Sequence, residues 1–215
     1  MRLATGSWSW ILPPFISGSI LLAISLLFSN IFRSVLFFLC VVSFLLFGVL
    51  LIFFRDPDRQ IGQGVVAVAD GVIREVEKRV DHDVGDCLYI STFMNIHNVH
   101  VNRAPVDGTV IARKHQSGTH LPAFTKESKR NEHLTLLLET SHGPMKIVLI
   151  AGTLARRIVA YVDVDAVVSK GDRISMIRLG SRVDIYLPVN DTITCTVTKG
   201  QWVKAGVDSL AEIND

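Results

Sequence analysis

The stretch over residues 11–54 constrains this chain most: 44 consecutive residues carry one formal charge, Arg33. So apolar a run cannot fold as a solvated surface, and at ~20 residues per crossing it is long enough for two membrane spans. It is too long for a cleaved secretory signal. The pattern predicts a helical hairpin with spans at 11–29 and 35–54, a turn around Asn30, and Trp8 and Trp10 at the level of the lipid headgroups. Pro13 and Pro14 fall in the expected first turn, where a missing N–H removes no intrahelical bond. Arg2 precedes the spans and Arg55 and Arg59 follow them, against Arg33 alone in the turn, so both ends are expected in the cytoplasm. A buried hairpin or a re-entrant or peripheral attachment is the alternative, and the last two would also keep the rest of the chain near a bilayer.

No Asp or Glu occurs before residue 55, so removing Arg2 and Arg33 from the 22 basic residues leaves 20, against 20 acidic ones, in the remainder. A formally neutral domain lacks the cationic excess that binding to a phosphate backbone requires, and no nucleic-acid partner is expected. The 3 cysteines, Cys40, Cys87 and Cys195, are scattered. No pair has metal-ligand or redox spacing, and no metal site is expected; an odd count fits a reducing compartment.

Beyond Pro57 the pattern changes to short runs rich in Val, Ile and Thr, separated by Asp-Gly, Gly-Asp and Lys-Gly turns. This predicts a mainly β, compact antiparallel sandwich or barrel. Strands are expected at 64–69, 71–78, 87–93, 108–114, 133–140, 145–150, 182–187 and 192–198, while 154–161 reads as either a helical turn or a strand. Two internal echoes stand out. Ala67-Val68-Ala69-Asp70-Gly71 matches Ala104-Pro105-Val106-Asp107-Gly108, and Lys170-Gly171-Asp172-Arg173-Ile174 matches Lys199-Gly200-Gln201-Trp202-Val203. Such hairpin units resemble the barrel-sandwich hybrid of biotinyl and lipoyl carriers, so a non-enzymatic, membrane-tethered carrier-like module is the competing reading. A carrier lysine would stand exposed at a hairpin tip, usually beside Met, whereas Lys170 and Lys199 stand beside Gly. The segment 115–132 is the longest without strand character; its Leu121 and Phe124 suit either a surface loop or a flap dipping into a lipid interface.

Five motifs then occur in order: Phe53-Phe54-Arg55-Asp56-Pro57-Asp58-Arg59, Ala69-Asp70-Gly71, the run from Phe93 through His97-Asn98-Val99-His100-Val101-Asn102-Arg103 to Pro105, Ala151-Gly152-Thr153-Leu154-Ala155-Arg156-Arg157, and Leu179-Gly180-Ser181-Arg182-Val183-Asp184. Together they resemble the short form of the phosphatidylserine decarboxylase family, including its archaetidylserine relatives. The resemblance covers residues 53–210. It implies a division into a membrane hairpin, 1–54, and a decarboxylase domain, 55–215, that cleaves itself between Gly180 and Ser181.

Decarboxylating an α-amino acid leaves a carbanion, which needs an electron sink such as a pyruvoyl group. The resemblance implies that this covalent cofactor forms from Ser181: its hydroxyl attacks the Gly180 carbonyl, the ester is eliminated to dehydroalanine, and hydrolysis with loss of ammonia leaves the pyruvoyl cap. Glycine before the nucleophile leaves that carbonyl unobstructed. A serine hydroxyl needs a base, and histidine with an acidic orienting partner is the usual one; the resemblance makes Asp70, His100 and Ser181 the self-cleavage triad. It also implies a Schiff base with the amine of a serine phospholipid, phosphatidylserine or archaetidylserine, giving the ethanolamine lipid. Arg103, Arg156 and Arg157 are the candidates for its phosphate, because a guanidinium matches phosphate oxygens in paired geometry. The implied partners are the lipid, the bilayer of the cell membrane with the catalytic domain on its cytoplasmic side, and the two cleaved chains, 1–180 and 181–215, held together; a homodimer is compatible. The chain departs from the family pattern at Ala67-Val68, at His97-Asn98 and at Asn131-Glu132-His133. His97 has two readings, a polar surface group or a stand-in for an acid at position 98, of which the first is the commoner for such a histidine, and Asn131-Glu132-His133 is given no catalytic role.

Overall fold

The stretch near the N-terminus whose one charge is Arg33 folds as two helices, α1 (Trp8–Ser25) and α2 (Ile31–Phe53), with Arg33 in the first turn of α2 rather than between the helices. The structure, a computed structural model, describes residues 2–119, 131–152, 158–178 and 181–214. Chain contacts divide it into two units, Met1–Pro57 and Asp58–Asp215.

The helices have 18 and 23 residues, about 27 and 35 Å at ~1.5 Å per residue, against a hydrocarbon layer of ~30 Å. They pack through small side chains that let the backbones approach. Ser17 Oγ lies 3.2 Å from Ser43 Oγ, a Cβ on Gly18 would stand 3.3 Å from the Phe44 ring, and the Phe15 and Phe47 rings are 5.2 Å apart. Outward, Phe38 and Leu45 are each 65% exposed, a surface that water would solvate poorly. α1 begins three residues before the expected span, where the Ser7 carbonyl accepts the amides of Trp10 and Ile11. Pro13 and Pro14 therefore stand inside the helix rather than in its first turn, and they withhold the N–H groups that would serve the Ser9 and Trp10 carbonyls. At the turn between the helices Asn30 takes φ 66° and ψ −150°, a strained conformation that residues other than glycine rarely adopt.

Past Pro57 the β-branched runs form antiparallel strands. The first seven are β1 (Val65–Val66), β2 (Gly71–Asp81), β3 (Gly85–Met94), β4 (Val101–Arg103), β5 (Gly108–Gln116), β6 (His133–Glu139) and β7 (Met145–Ala151). The others are β8 (Ile158–Ala160), β9 (Val167–Val168), β10 (Arg173–Ile177), β11 (Ser181–Pro188), β12 (Ile193–Cys195), β13 (Trp202–Val203) and β14 (Ser209–Ile213). Among the described residues, eight strands form one curled, half-barrel sheet in the order β13-β2-β3-β11-β7-β6-β5-β9, and two three-stranded sheets run β4-β10-β8 and β1-β14-β12. The fold is mainly β, as the turn spacing predicts.

Side-chain alternation decides where the core sits. Val183, Ile185 and Leu187 of β11, Ile90 and Met94 of β3, and Leu134, Leu136 and Leu138 of β6 face one side, where they join Val65 and Leu210 from one small sheet and Ile174 and Ile177 from the other. Strands β2, β3, β5, β6, β7 and β11 lie within a few residues of the expected spans. The expected strand at 64–69 shrinks to β1 because its remaining amides serve irregular partners: Ala67 N–H donates to the Asp208 carbonyl at 2.8 Å. The two Ala-containing echo segments meet, with Arg103 N–H on the Val68 carbonyl at 2.9 Å and Val66 N–H on the Pro105 carbonyl at 3.0 Å. Each receives a glycine from a downstream turn, Gly171 on the Ala104 carbonyl and Gly206 on the Ala67 carbonyl. The structural counterpart of the Lys170-Gly171 turn is therefore the turn at Gly206, rather than Lys199-Gly200.

The β2–β3 hairpin is closed by polar contacts. Asp81 Oδ1 accepts the amides of Asp83 at 2.9 Å and Val84 at 3.3 Å. Lys146, on β7, reaches across to the carboxylates of both Asp81 and Asp83. Burial works against the lysine charge, yet the hydrogen bonds to Asp81 and Asp83 prevail and its pKa is raised, while the bond to Lys146, then that to His82, lowers the pKa of Asp83. The lowered acid contributes stability above its unfolded pKa of ~3.9 that is lost as pH falls; the raised lysine contributes below ~10.4 and loses it as pH rises further. Lys146→Met is therefore expected to destabilise the fold by about 1–3 kcal/mol near pH 7. The deficit relative to the parent chain should shrink below about pH 3, as read from denaturant midpoints across pH.

Candidate active site

Three central strands end at one place. Ser181 opens β11 and pairs with Met94, the last residue of β3, and with Ala151, the last of β7. It is fully buried, and its hydroxyl donates to Met94 Sδ at 3.0 Å. A thioether is a weak acceptor.

His100 lies six residues past Met94 along the chain. After Met94 the backbone turns, Asn98 N–H donating to the Asn95 carbonyl at 3.0 Å and Asn95 N–H to Asn98 Oδ1 at 2.7 Å. Position 98 thus serves a side-chain-capped turn that asparagine forms readily. The chain then arrives at His100, which is fully buried. Its carbonyl accepts the amide of Ile177 at 3.1 Å, where β10 ends a few residues before Ser181. Asn102 Nδ2 donates to Ser175 Oγ at 3.0 Å and ties β4 to β10.

Asp70 is also buried, and its partner is a residue to which sequence reasoning assigned no such role. Arg59 donates to both carboxylate oxygens, Nη1 at 2.5 Å and Nη2 at 2.8 Å. Nη1 also reaches the Ala205 carbonyl at 2.7 Å, and the Ala205 amide donates to Asp70 Oδ1 at 2.8 Å. The signal was present in the motif Asp56-Pro57-Asp58-Arg59. Arg103 is 4% exposed, and Nη1 donates to the Gly171 carbonyl at 2.9 Å. A Cβ on Gly206 would lie 2.8 Å from Arg103 Cδ, so only glycine lets this turn close over the arginine. Arg103 is committed to the fold rather than presented to solvent. His97 is exposed, its ring 6.2 Å from that of Trp202. Gly180, Arg156 and Arg157 lie outside the described residues, as do Leu121 and Phe124.

A second support missed from sequence is Asn131-Glu132. Asn131 Nδ2 donates to the Ala151 carbonyl at 2.8 Å, and the Ala151 amide donates to the Glu132 carbonyl at 2.9 Å. Glu132 Oε1 accepts the Ile158 amide at 3.3 Å and stands 3.0 Å from His115 Nε2. The residue beside Ser181 is therefore gripped at both its amide and its carbonyl. On the opposite face of the same strands, Ser91 Oγ donates to Asp184 Oδ1 at 2.7 Å and Arg182 Nη2 to Asp184 Oδ2 at 2.9 Å. Burial raises the pKa of Asp184 against the pull of Arg182 and Ser91, and burial, then the Asp184 charge, raises that of Tyr89.

Comparison with known proteins bears on this arrangement. Residues 46–211 match the family described as phosphatidylserine decarboxylase. The chain is 42% identical to a phosphatidylserine decarboxylase proenzyme of Thermobifida fusca, over 97% of this chain and 92% of that protein. It is 38% identical to a protein of Methanococcoides burtonii named as an archaetidylserine decarboxylase proenzyme, over 98% and 96% of the two chains. A protein of the same name from Halobacterium salinarum is 41% identical over 97% and 99%.

Removing one member of the Arg59–Asp70 pair leaves a buried charge uncompensated. Arg59→Met is expected to cost about 3–5 kcal/mol of folding stability, read as a lowered urea midpoint with an unchanged slope.

Proposed function

The chain belongs to the phosphatidylserine decarboxylase family, a family of carboxy-lyases made as proenzymes, and on that premise we propose that it cleaves itself between Gly180 and Ser181 and decarboxylates the serine headgroup of a membrane phospholipid. The observation that carries this reading is a fully buried serine at the meeting of three strand ends, its hydroxyl on the Met94 thioether, with His100 also fully buried and its carbonyl bonded to the last residue of β10.

The residues present fit a pyruvoyl group at position 181. Met94 and Ala151 flank the position, Val183 continues the same apolar face, and the site is closed to solvent. Such a group supplies the electron sink that loss of carbon dioxide from an α-amino acid needs. The chain itself supplies the rest. His100 takes the Ser181 hydroxyl proton so that the oxygen attacks the Gly180 carbonyl, and Asp70, fixed by Arg59 and the Ala205 amide, is the acid of the triad. A dry site raises the energy of the departing carboxylate, while an arginine steadies the lipid phosphate. With Arg103 turned into the fold, that task falls to Arg156 and Arg157.

Scission at this bond would not release the smaller piece. Residues 181–215 carry β11, paired with β3 over eight positions and with β7 over six, β13 at one edge of the same sheet, and β14 between β1 and β12. The two apolar helices serve as a membrane anchor with both ends in the cytoplasm, which keeps the domain near a substrate that stays in the bilayer.

The test is intact mass under denaturing conditions. The wild-type protein is expected as two chains split after Gly180, the smaller lighter by one ammonia than a serine-started fragment. Ser181→Ala should remain one chain without activity, and Asp70→Asn and His100→Ala should slow or stop the split. A wild-type chain of full mass in folded protein would overturn the proposal, and normal processing of His100→Ala would remove that residue as the base.

A further inference from the structure

Strand β11 has an unusual task if it is cut at its first residue: a strand end must stay in register without the chain that led into it. Its core-facing side chains specify register poorly. Val183, Ile185 and Leu187 are all aliphatic, so a slip of two residues exchanges one for another; only a slip of one is forbidden, because it turns the apolar face outward.

The opposite face is different. Asp184 stands directly across from Ser91, Arg182 from Phe93 and Tyr186 from Tyr89. The Ser91 hydroxyl holds one Asp184 oxygen at 2.7 Å and Arg182 holds the other at 2.9 Å, with Asp184 3% and Ser91 2% exposed. The Tyr89 and Tyr186 rings meet edge to face at 5.1 Å and close the next position along. A slip of two in either direction would set the Asp184 carboxylate opposite Phe93 or Tyr89 instead of Ser91. That strips a buried charge of its hydroxyl partner, a far larger penalty than exchanging valine for isoleucine.

We propose that the Ser91–Asp184–Arg182 network is a register pin that keeps residue 181 opposite Met94 and Ala151, and so acts as a set of positioning residues for the cleavage and the decarboxylation. The proposal rests on scission at residue 181 for its catalytic consequence. Its structural content, register at the start of β11, does not depend on scission.

The experiment uses the full chain in detergent, with Ser91→Ala, Ser91→Thr and Asp184→Leu each made in the wild-type and the Ser181→Ala backgrounds. In the Ser181→Ala chains, amide exchange read by mass spectrometry should rise by about tenfold or more over residues 181–184 for Ser91→Ala and Asp184→Leu while residues 185–188 keep their protection. In the processed chains kcat should fall by about tenfold or more with KM little changed, since small misplacement of a reacting group acts on the chemical step. Ser91→Thr, which keeps the hydroxyl, should restore both. Unchanged exchange at residues 181–184 overturns the pin. So does a uniform rise along β11 with a lowered thermal midpoint and normal kcat, which marks a merely structural role. A wild-type chain that never splits would remove the proposed function, yet the exchange result in the Ser181→Ala chains would still decide the pin.

Discussion

The central position of β11 is the constraint on which the rest of this protein depends. A strand hydrogen-bonded on both sides, to β3 and β7, cannot shift or leave without breaking two ladders at once. Its first residue is Ser181, so the position of the serine hydroxyl follows from backbone pairing rather than from a loop. The neighbouring ends are fixed in turn: Met94 closes β3 before the Asn95–Asn98 turn, and Ala151 is held at amide and carbonyl by Glu132 and Asn131. Loops can place side chains, but paired strands place them with less freedom.

Buried polar groups organise the domain around that strand. Arg59 with Asp70, Arg103 with Gly171, and Arg182 with Asp184 and Ser91 are all largely withdrawn from solvent. None is a cheap source of stability, because the desolvation of each charge offsets much of its attraction. What they contribute is definition. Each joins segments distant in sequence, and each becomes costly if the segments meet in any other way. The apolar core between the sheets supplies the driving force for collapse and is tolerant of exchange among Val, Ile and Leu; the polar pairs are not.

Much of this architecture was legible in the sequence, and the reasons are local. The unbroken apolar stretch can only be helical where backbone groups find no other partner. The long strands β2, β3, β5, β6, β7 and β11 carry the alternation and the flanking Gly and Asp turns that mark strands of a layered β domain. The short strands were another matter. β9 and β13 hold two residues each, too few for any period to register, and they exist because a neighbouring edge offers them hydrogen bonds. The same holds for β10, whose Ser175 faces Asn102 on a strand far upstream.

By itself, then, the chain determined its apolar hairpin, its β class, its order of long strands and the Gly-Ser bond with its histidine and aspartate motifs, since all of these depend on residue types at short spacing. Tertiary structure alone decided that Asp70 would be gripped by Arg59, that Arg103 would turn inward against Gly171 and that Ser181 would be sealed between Met94 and Ala151. It also decided that Asp184 would meet Ser91, 93 positions away. These outcomes turn on which distant strands pair and in which register, a choice made by the summed burial and hydrogen bonding of the whole sheet and written in no single segment.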